Sequence, residues 1–365
     1  MTRLIVAAGG GGDAVAAAML DAVLYGDDGQ AVILTYAWDR LLVDPVPGPR
    51  APSDFTGLRQ LTKTVWSVPA AAHPIAPAGS TLPRLAAELP HTFALIDPHH
   101  GAEGVARQLE ELIALLAPTS VDLLDVGGDI LARGDEPTLK SPLGDALTLA
   151  ACCQVNAPVR LLVAGPGLDG ELPADDVRSV LGTLVHTFAP KDTEPVSDVL
   201  KWHPSEATGM LAAAARGARG VCEVRDAGLL IPLTDDSPTV HEVDMDDALH
   251  RNELARAVLS TTSLDEAEFC SREICGYSEI DYERNKAAWL KDQPAVKLHP
   301  DTVFSELDAF EDEARSRGVT HTTFRHLTEV LNLSGTQRDD LRQLLISSQP
   351  ERYCAPLWSI PAATE

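Results

Sequence analysis

The stretch Leu4-Ile5-Val6-Ala7-Ala8-Gly9-Gly10-Gly11-Gly12-Asp13 decides the fold. Five consecutive apolar residues, β-branched at Ile5 and Val6, read as a strand buried on both faces. The glycines end it. Asp13 to Leu24 is alanine-rich, with Val15, Met19, Ala22 and Val23 available to an apolar face, and reads as a helix. Working outward, the same grammar recurs four times. Ala31 to Tyr36 runs into Trp38-Asp39-Arg40, and Phe93 to Ile96 runs into Asp97-Pro98-His99-His100. Val121 to Leu124 runs into Asp125-Val126-Gly127-Gly128-Asp129, and Val159 to Ala164 into Gly165-Pro166-Gly167-Leu168-Asp169-Gly170-Glu171. In an open parallel sheet, ligands bind beyond the carboxyl ends of the strands. Strand ends rich in glycine, carboxylate and imidazole therefore predict a small-molecule site along one sheet edge.

Helical spacing over Gly101 to Leu116, Pro142 to Cys153, Ala174 to Phe188 and Ser205 to Arg216 fills the connections. The expected fold is α/β: a doubly wound, mostly parallel, Rossmann-like sheet with helices on both faces, spanning residues 1–235. Asp44 to Pro52 is too rich in proline for regular structure. Near Thr234 the character changes. Charge becomes dense, strand signals vanish, and five stretches between Asp244 and Ser347 read as helices. Residues 236–365 are expected to form a helical carboxy-terminal region packed on the first.

The chain has 365 residues and carries 54 Asp and Glu against 29 Lys and Arg, a net charge of −25. Such a field repels nucleic acid and anionic membranes, so neither is expected as a partner. No run approaches the roughly 18 apolar residues of a membrane span, and the amino terminus lacks a signal peptide's apolar stretch. The expected location is cytoplasmic. The six cysteines form no CxxC pair, which argues against a zinc knuckle and a disulfide framework.

Three segments carry candidate chemistry. The loop Gly9, Gly10, Gly11, Gly12 with Asp13 sits between a strand and a helix, where backbone amides suit an anion. It is neither G-x-G-x-x-G nor a Walker loop. The segment Asp125 to Ala146 supplies Asp125, Asp129, Asp135, Glu136 and Asp145, with Gly127-Gly128 allowing close backbone approach and Ser141 capping the next helix. Clustered hard oxygens suit Mg²⁺ or Mn²⁺. In the third segment, Asp169 and Glu171 flank Gly170 and would face one side if extended. Asp125, Asp129, Asp169 and Glu171, with His99 as a further candidate, form the expected metal set. Asp129, Asp169 and Glu171 are the expected catalytic residues. Trp38, Asp39 and Arg40 would stack on a ring and anchor an anion.

These stretches resemble the family catalogued as domain of unknown function 1152, found in archaea and actinobacteria. The likeness rests on LIVAAGGGGDAVAAA, AWDRLLVDPVPGPR, DVGGDILARGDEPTLKSPLGDA and GPGLDGEL, and extends through RNELARAVLSTTSLDEAE to the ERN of Glu283 to Asn285. It implies one enzyme-like fold and names no substrate. The layout is also similar to D-glutamate cyclase-like domains, which pair an early glycine loop with an acidic Asp-Gly-Gly segment. Asp125 and Gly127-Gly128-Asp129 depart from that pattern. The leading expectation is a hydrolase, transferase or ligase acting on a nucleotide-like or phosphorylated metabolite with a divalent metal. The alternatives are a metal-assisted lyase or cyclase on an amino or hydroxy acid, and a non-catalytic metabolite-binding protein.

Overall fold

A computed structural model describes residues 2–26, 30–225, 228–292 and 297–362. Five strands form its parallel centre: β1 (Thr2–Gly10), β2 (Gln30–Tyr36), β3 (Thr92–Ile96), β4 (Val121–Val126) and β5 (Arg160–Ala164). Their order across the sheet is β3-β2-β1-β4-β5. The winding direction thus reverses between β1 and β4. Antiparallel strands finish both edges, Thr239–Val243 and Leu184–Thr187 beyond β5, Trp66–Ser67 and Arg59–Gln60 beyond β3.

Side chains alternate across the sheet with the period of two that a strand imposes. Ile5, Ala7, Ile33 and Leu124 pack on one face with α1 (Gly12–Tyr25) and α4 (Glu206–Ala215). Leu4, Val6, Leu34 and Leu123 pack on the other with α2 (Gly101–Leu116) and α3 (Pro142–Cys152). Each is fully buried, and each of the larger side chains among them contributes about 1.5–3 kcal/mol by leaving water. With both faces covered, the strands could not show the apolar–polar alternation of an exposed sheet, hence the unbroken apolar runs.

The region after residue 236 is not wholly helical. Thr239–Val243 enters the main sheet, and His321–Thr322, Tyr353–Cys354 and Leu357–Ser359 join Gly220–Val224 and Leu229–Leu233 in a second, five-stranded sheet. Three of these strands have only two or three residues, too short for periodicity to register. Helices between Met245 and Lys291 contribute Leu254, Val258 and Ile280 to the cluster beneath the main sheet. A separate cluster begins at Val303 and includes Leu307, Leu327, Leu341 and Trp358. The shared core therefore changes near residue 300. No helix among the described residues is long and apolar enough to cross a membrane.

The turn after β1 is held by close packing. A β-carbon on Gly10 would lie 2.4 Å from the Trp38 carbonyl oxygen, while one on Gly144 would meet nothing nearer than 3.7 Å. Gly10→Ala is expected to cost about 1–3 kcal/mol through overpacking. Gly144→Ala, in the first turn of α3, should be neutral or stabilise by up to about 1 kcal/mol. Urea unfolding of the two variants checks this. Equal effects would show that the β1–β2 loop contact is slack.

Candidate functional site

The carboxyl ends of β1, β2, β4 and β5 open onto one cleft. Asp13, from the start of α1, accepts from the Gly9 amide at 2.8 Å. Asp125 ends β4, and Asp145 enters from the first turn of α3. These three buried aspartates offer oxygens that all lie within 4.8 Å of one another. Asp125 Oδ2 and Asp145 Oδ1 are buried and meet no donor among the described residues.

Electrostatics follow from that crowding. Burial, and after it the carboxylates of neighbours, pushes Asp125, Asp129 and Asp145 well above the ordinary carboxylate range. Burial likewise moves Asp13 to about 7, eased by the Gly9 amide and reinforced by Asp169. Asp169 also rises to about 7, by burial and then by Glu171. Glu171 goes the other way. Burial opposes its ionisation, but Arg225 at 2.8 Å, the Ser141 hydroxyl and the Lys140 amide at 2.7 Å outweigh it and hold the pKa below its usual value.

Asp129 and Asp169 line the same cleft as Asp125 and Glu171, so all four residues of the expected metal set converge there. Their roles separate, because Glu171 is already saturated by its own partners. Ser141 precedes α3 but does not cap it through its hydroxyl, which donates to Glu171 instead. Gly127 and Gly128 sit behind the wall. Each has a positive φ, and a β-carbon on Gly127 would fall 2.3 Å from the Asp169 carboxyl carbon. Gly127 thus makes room for Asp169 rather than for a ligand.

The loop after β2 is fixed from a distance. Trp38 donates its indole N–H to Glu283 at 3.1 Å, and Glu283 also accepts from the Gly48 amide. Asp39 accepts from the Thr81 amide and hydroxyl and is raised to about 6 by burial. Arg40 reaches over the cleft, donating to Ser141 at 3.1 Å and standing 3.6 Å from Glu279. Trp38 and Asp39 therefore carry structural duties while lining the site.

Besides Gly127 and Gly128, two further expected residues do not reach it. His99 is exposed and tied to Asp97 at 2.8 Å. It follows β3, which lies beyond β2 and too far along the edge. Glu136 turns inward to accept from the Arg133 and Gly134 amides, closing its own loop. The glycine loop is also only partly open. Gly12 packs against Ser205, and a β-carbon there would fall 2.1 Å from its hydroxyl.

The sequence reading missed His203, Glu206, Arg225, Glu279 and Arg325, which also line the cleft. Arg225 follows the strand Gly220–Val224, so the strand-end rule applied once more would have found it. Glu279 is buried and raised to about 8, by burial and despite Arg40. It opens the helix Glu279–Lys291, which lies outside the stretches read as helices, and nothing local marked it.

Neither the curated proteins nor the solved structures gave a match to this chain. A family model does match, over residues 4–287, and that span contains every carboxylate of the cleft named above, while Arg325 lies beyond it. On that coverage the chain belongs to the family described as protein of unknown function (DUF1152).

Proposed function

We propose that the cleft is the active site of a small-molecule enzyme in which Asp13, Asp125 and Asp145 hold a divalent cation, Mg²⁺ or Mn²⁺. The observation that carries this is the set of three buried carboxylates with oxygens inside 4.8 Å, two of which face no donor. Hard oxygen ligands without Cys or His suit these ions rather than Zn²⁺. The α/β part is read as Rossmann-like. Asp13 follows β1 and Asp125 ends β4, so the trio straddles the point where the strand order reverses, the position at which open α/β sheets bind ligands.

The metal set inferred from sequence is thereby revised. Asp13 and Asp145 join Asp125, while Glu171 serves to pin Ser141 and Arg225 in place. Asp169, with a pKa of about 7, is placed to take or give a proton at neutral pH. The cation would supply Lewis-acid polarisation of the substrate. Arg40 and Arg225 flank the carboxylates and favour an anionic substrate, a phosphorylated or nucleotide-like metabolite. Hydrolysis or group transfer is the favoured reaction class. Proton abstraction from an amino or hydroxy acid, a lyase or cyclase reaction, is the second reading, favoured by two acids near neutrality, Asp169 and Glu279. All six cysteines are free, in keeping with a cytoplasmic enzyme.

Calorimetric titration with Mn²⁺ is expected to show saturable binding that Asp145→Asn weakens at least about tenfold. If the wild type binds neither Mn²⁺ nor Mg²⁺, the carboxylates serve a substrate amine or hydroxyls and the metal-assisted reading fails.

The raised pKa values also set a pH dependence. Asp39, Asp13, Asp169 and Glu279 bind protons more tightly folded than unfolded, with folded values of about 6, 7, 7 and 8. Their stabilising contribution is complete below about pH 4, the unfolded carboxylate range, and is lost as pH rises through 6 to 8. The melting temperature in EDTA should fall from pH 5 to pH 8, and Mn²⁺ should restore it most at pH 8. A flat profile in EDTA would contradict the crowding described above.

A further inference from the structure

We propose that the cleft continues past His203 into an arginine-lined annex, formed by Arg325, Arg338 and Arg342, that binds the phosphoryl group of the substrate. This rests on the reading of the cleft as a metabolite site, and it moves the anion away from the glycine loop. A second cavity adjoins the first and shares His203, Ser205, Glu206 and Arg325 with it. Arg338 and Arg342 stand one turn apart on the helix Arg338–Ser348 and line its far wall. Three guanidinium groups around one small cavity are out of keeping with a chain of net charge −25.

The uncompensated positive charge of the annex rests on Arg338 and Arg342. Arg325 is paired with Glu206 at 3.3 Å and Glu329 at 3.6 Å, whereas Arg338 donates to the Trp202 carbonyl and to the exposed Asp339. Among the described residues Arg342 has no carboxylate within ion-pair distance. It donates to the Tyr353 hydroxyl and lies over the Phe324 and Tyr353 rings. Burial lowers the pKa of Arg338, Asp339 opposes this, and Arg342 and Arg84 add to the lowering. Crowded, half-desolvated guanidinium groups are relieved by an anion.

His203 supplies a further donor. Its Nδ1 accepts from the Ser205 amide at 3.3 Å, so the neutral ring carries its proton on Nε2. That Nε2 is buried and meets no partner among the described residues. Burial, then Arg338 and Arg84, hold the ring neutral by moving its pKa to about 3. Ser205 next caps α4, its hydroxyl accepting from the Thr208 amide, and lines the same end of the cleft.

The glycine loop is the poorer anion holder. Its Gly9 amide is spent on Asp13, and Gly10 and Gly12 are packed against Trp38 and Ser205. A tetrahedral phosphoryl group can accept from several guanidinium groups at once, whereas a carboxylate offers two oxygens.

The test titrates the full chain with inorganic phosphate, and separately with acetate, at constant ionic strength and without divalent ions. Omitting the metal separates this proposal from the metal reading, which the Mn²⁺ titration judges. Wild type should bind phosphate saturably and more tightly than acetate. Arg342→Gln and Arg338→Gln should each weaken phosphate binding by about tenfold or more while circular dichroism stays native. Should one variant fail to fold, the other decides. Absence of saturable phosphate binding, acetate binding as tight as phosphate, or wild-type affinity in a folded variant would overturn the proposal.

Discussion

The cleft is organised by one constraint, the burial of several like charges at the ends of adjacent strands. Two ionised carboxylates within 4.8 Å repel by about 3 kcal/mol at an effective dielectric of about 20, before any cost of desolvation. Asp13, Asp125 and Asp145 make three such pairs, and Asp129 and Asp169 add further repulsion. Domains are stable by only about 5–15 kcal/mol, so a fully ionised, uncompensated cluster would consume much of that margin. The carboxylates must share protons or share a cation. The raised pKa values describe the first solution, and the geometry of the trio accommodates the second.

The same chain handles buried acids differently elsewhere. Asp21 is paired with Arg3, Asp122 with Arg160, Glu223 with Arg317 and Glu311 with Arg352. Within the cleft, Glu171 is treated in that way, by Arg225. Asp125 and Asp145 are not. Each has an oxygen that meets no donor, although arginines are at hand a few side chains away. Compensation that is supplied at distant acids and withheld at the strand ends is a property of the site, since packing alone would favour pairing throughout.

Much of this was legible in the sequence because strand ends announce themselves. Unbroken apolar runs such as Leu4 to Ala8, stopped by glycine, give both the parallel strands and the edge on which the cleft lies. The rule overreached where it ignored position across the sheet. His99 follows a strand as the others do, but β3 lies two strands from β1, and its carboxyl end misses the cleft. Glu136 shows a second limit. A carboxylate in a glycine-rich loop can satisfy its own backbone, and no spacing distinguishes that from a ligand. The residues found only in three dimensions, Glu279 and Arg325, come from helices dense in charge, where a side chain aimed inward looks the same in sequence as one in water. The two- and three-residue strands of the second sheet are too brief to carry a pattern at all.

That second sheet has a further consequence for the site. The strand Gly220–Val224 pairs with His321–Thr322, so the terminal region is joined to the strand that Arg225 follows. Arg225 holds Glu171, and Glu171 in turn orients Ser141, which accepts from Arg40. The acidic trio comes from the α/β part, whereas Arg325, Arg338 and Arg342 come from beyond residue 300. The two ends of the cleft, one negative and one positive, are therefore built by different parts of the chain around a shared strand. Because the charges at each end repel one another locally but attract across the gap, a ligand carrying a cation at one end and an anion at the other relieves both at once. On the proposed reading, a metal would sit at the acidic end and an anionic group at the basic end, with the substrate spanning the gap between them.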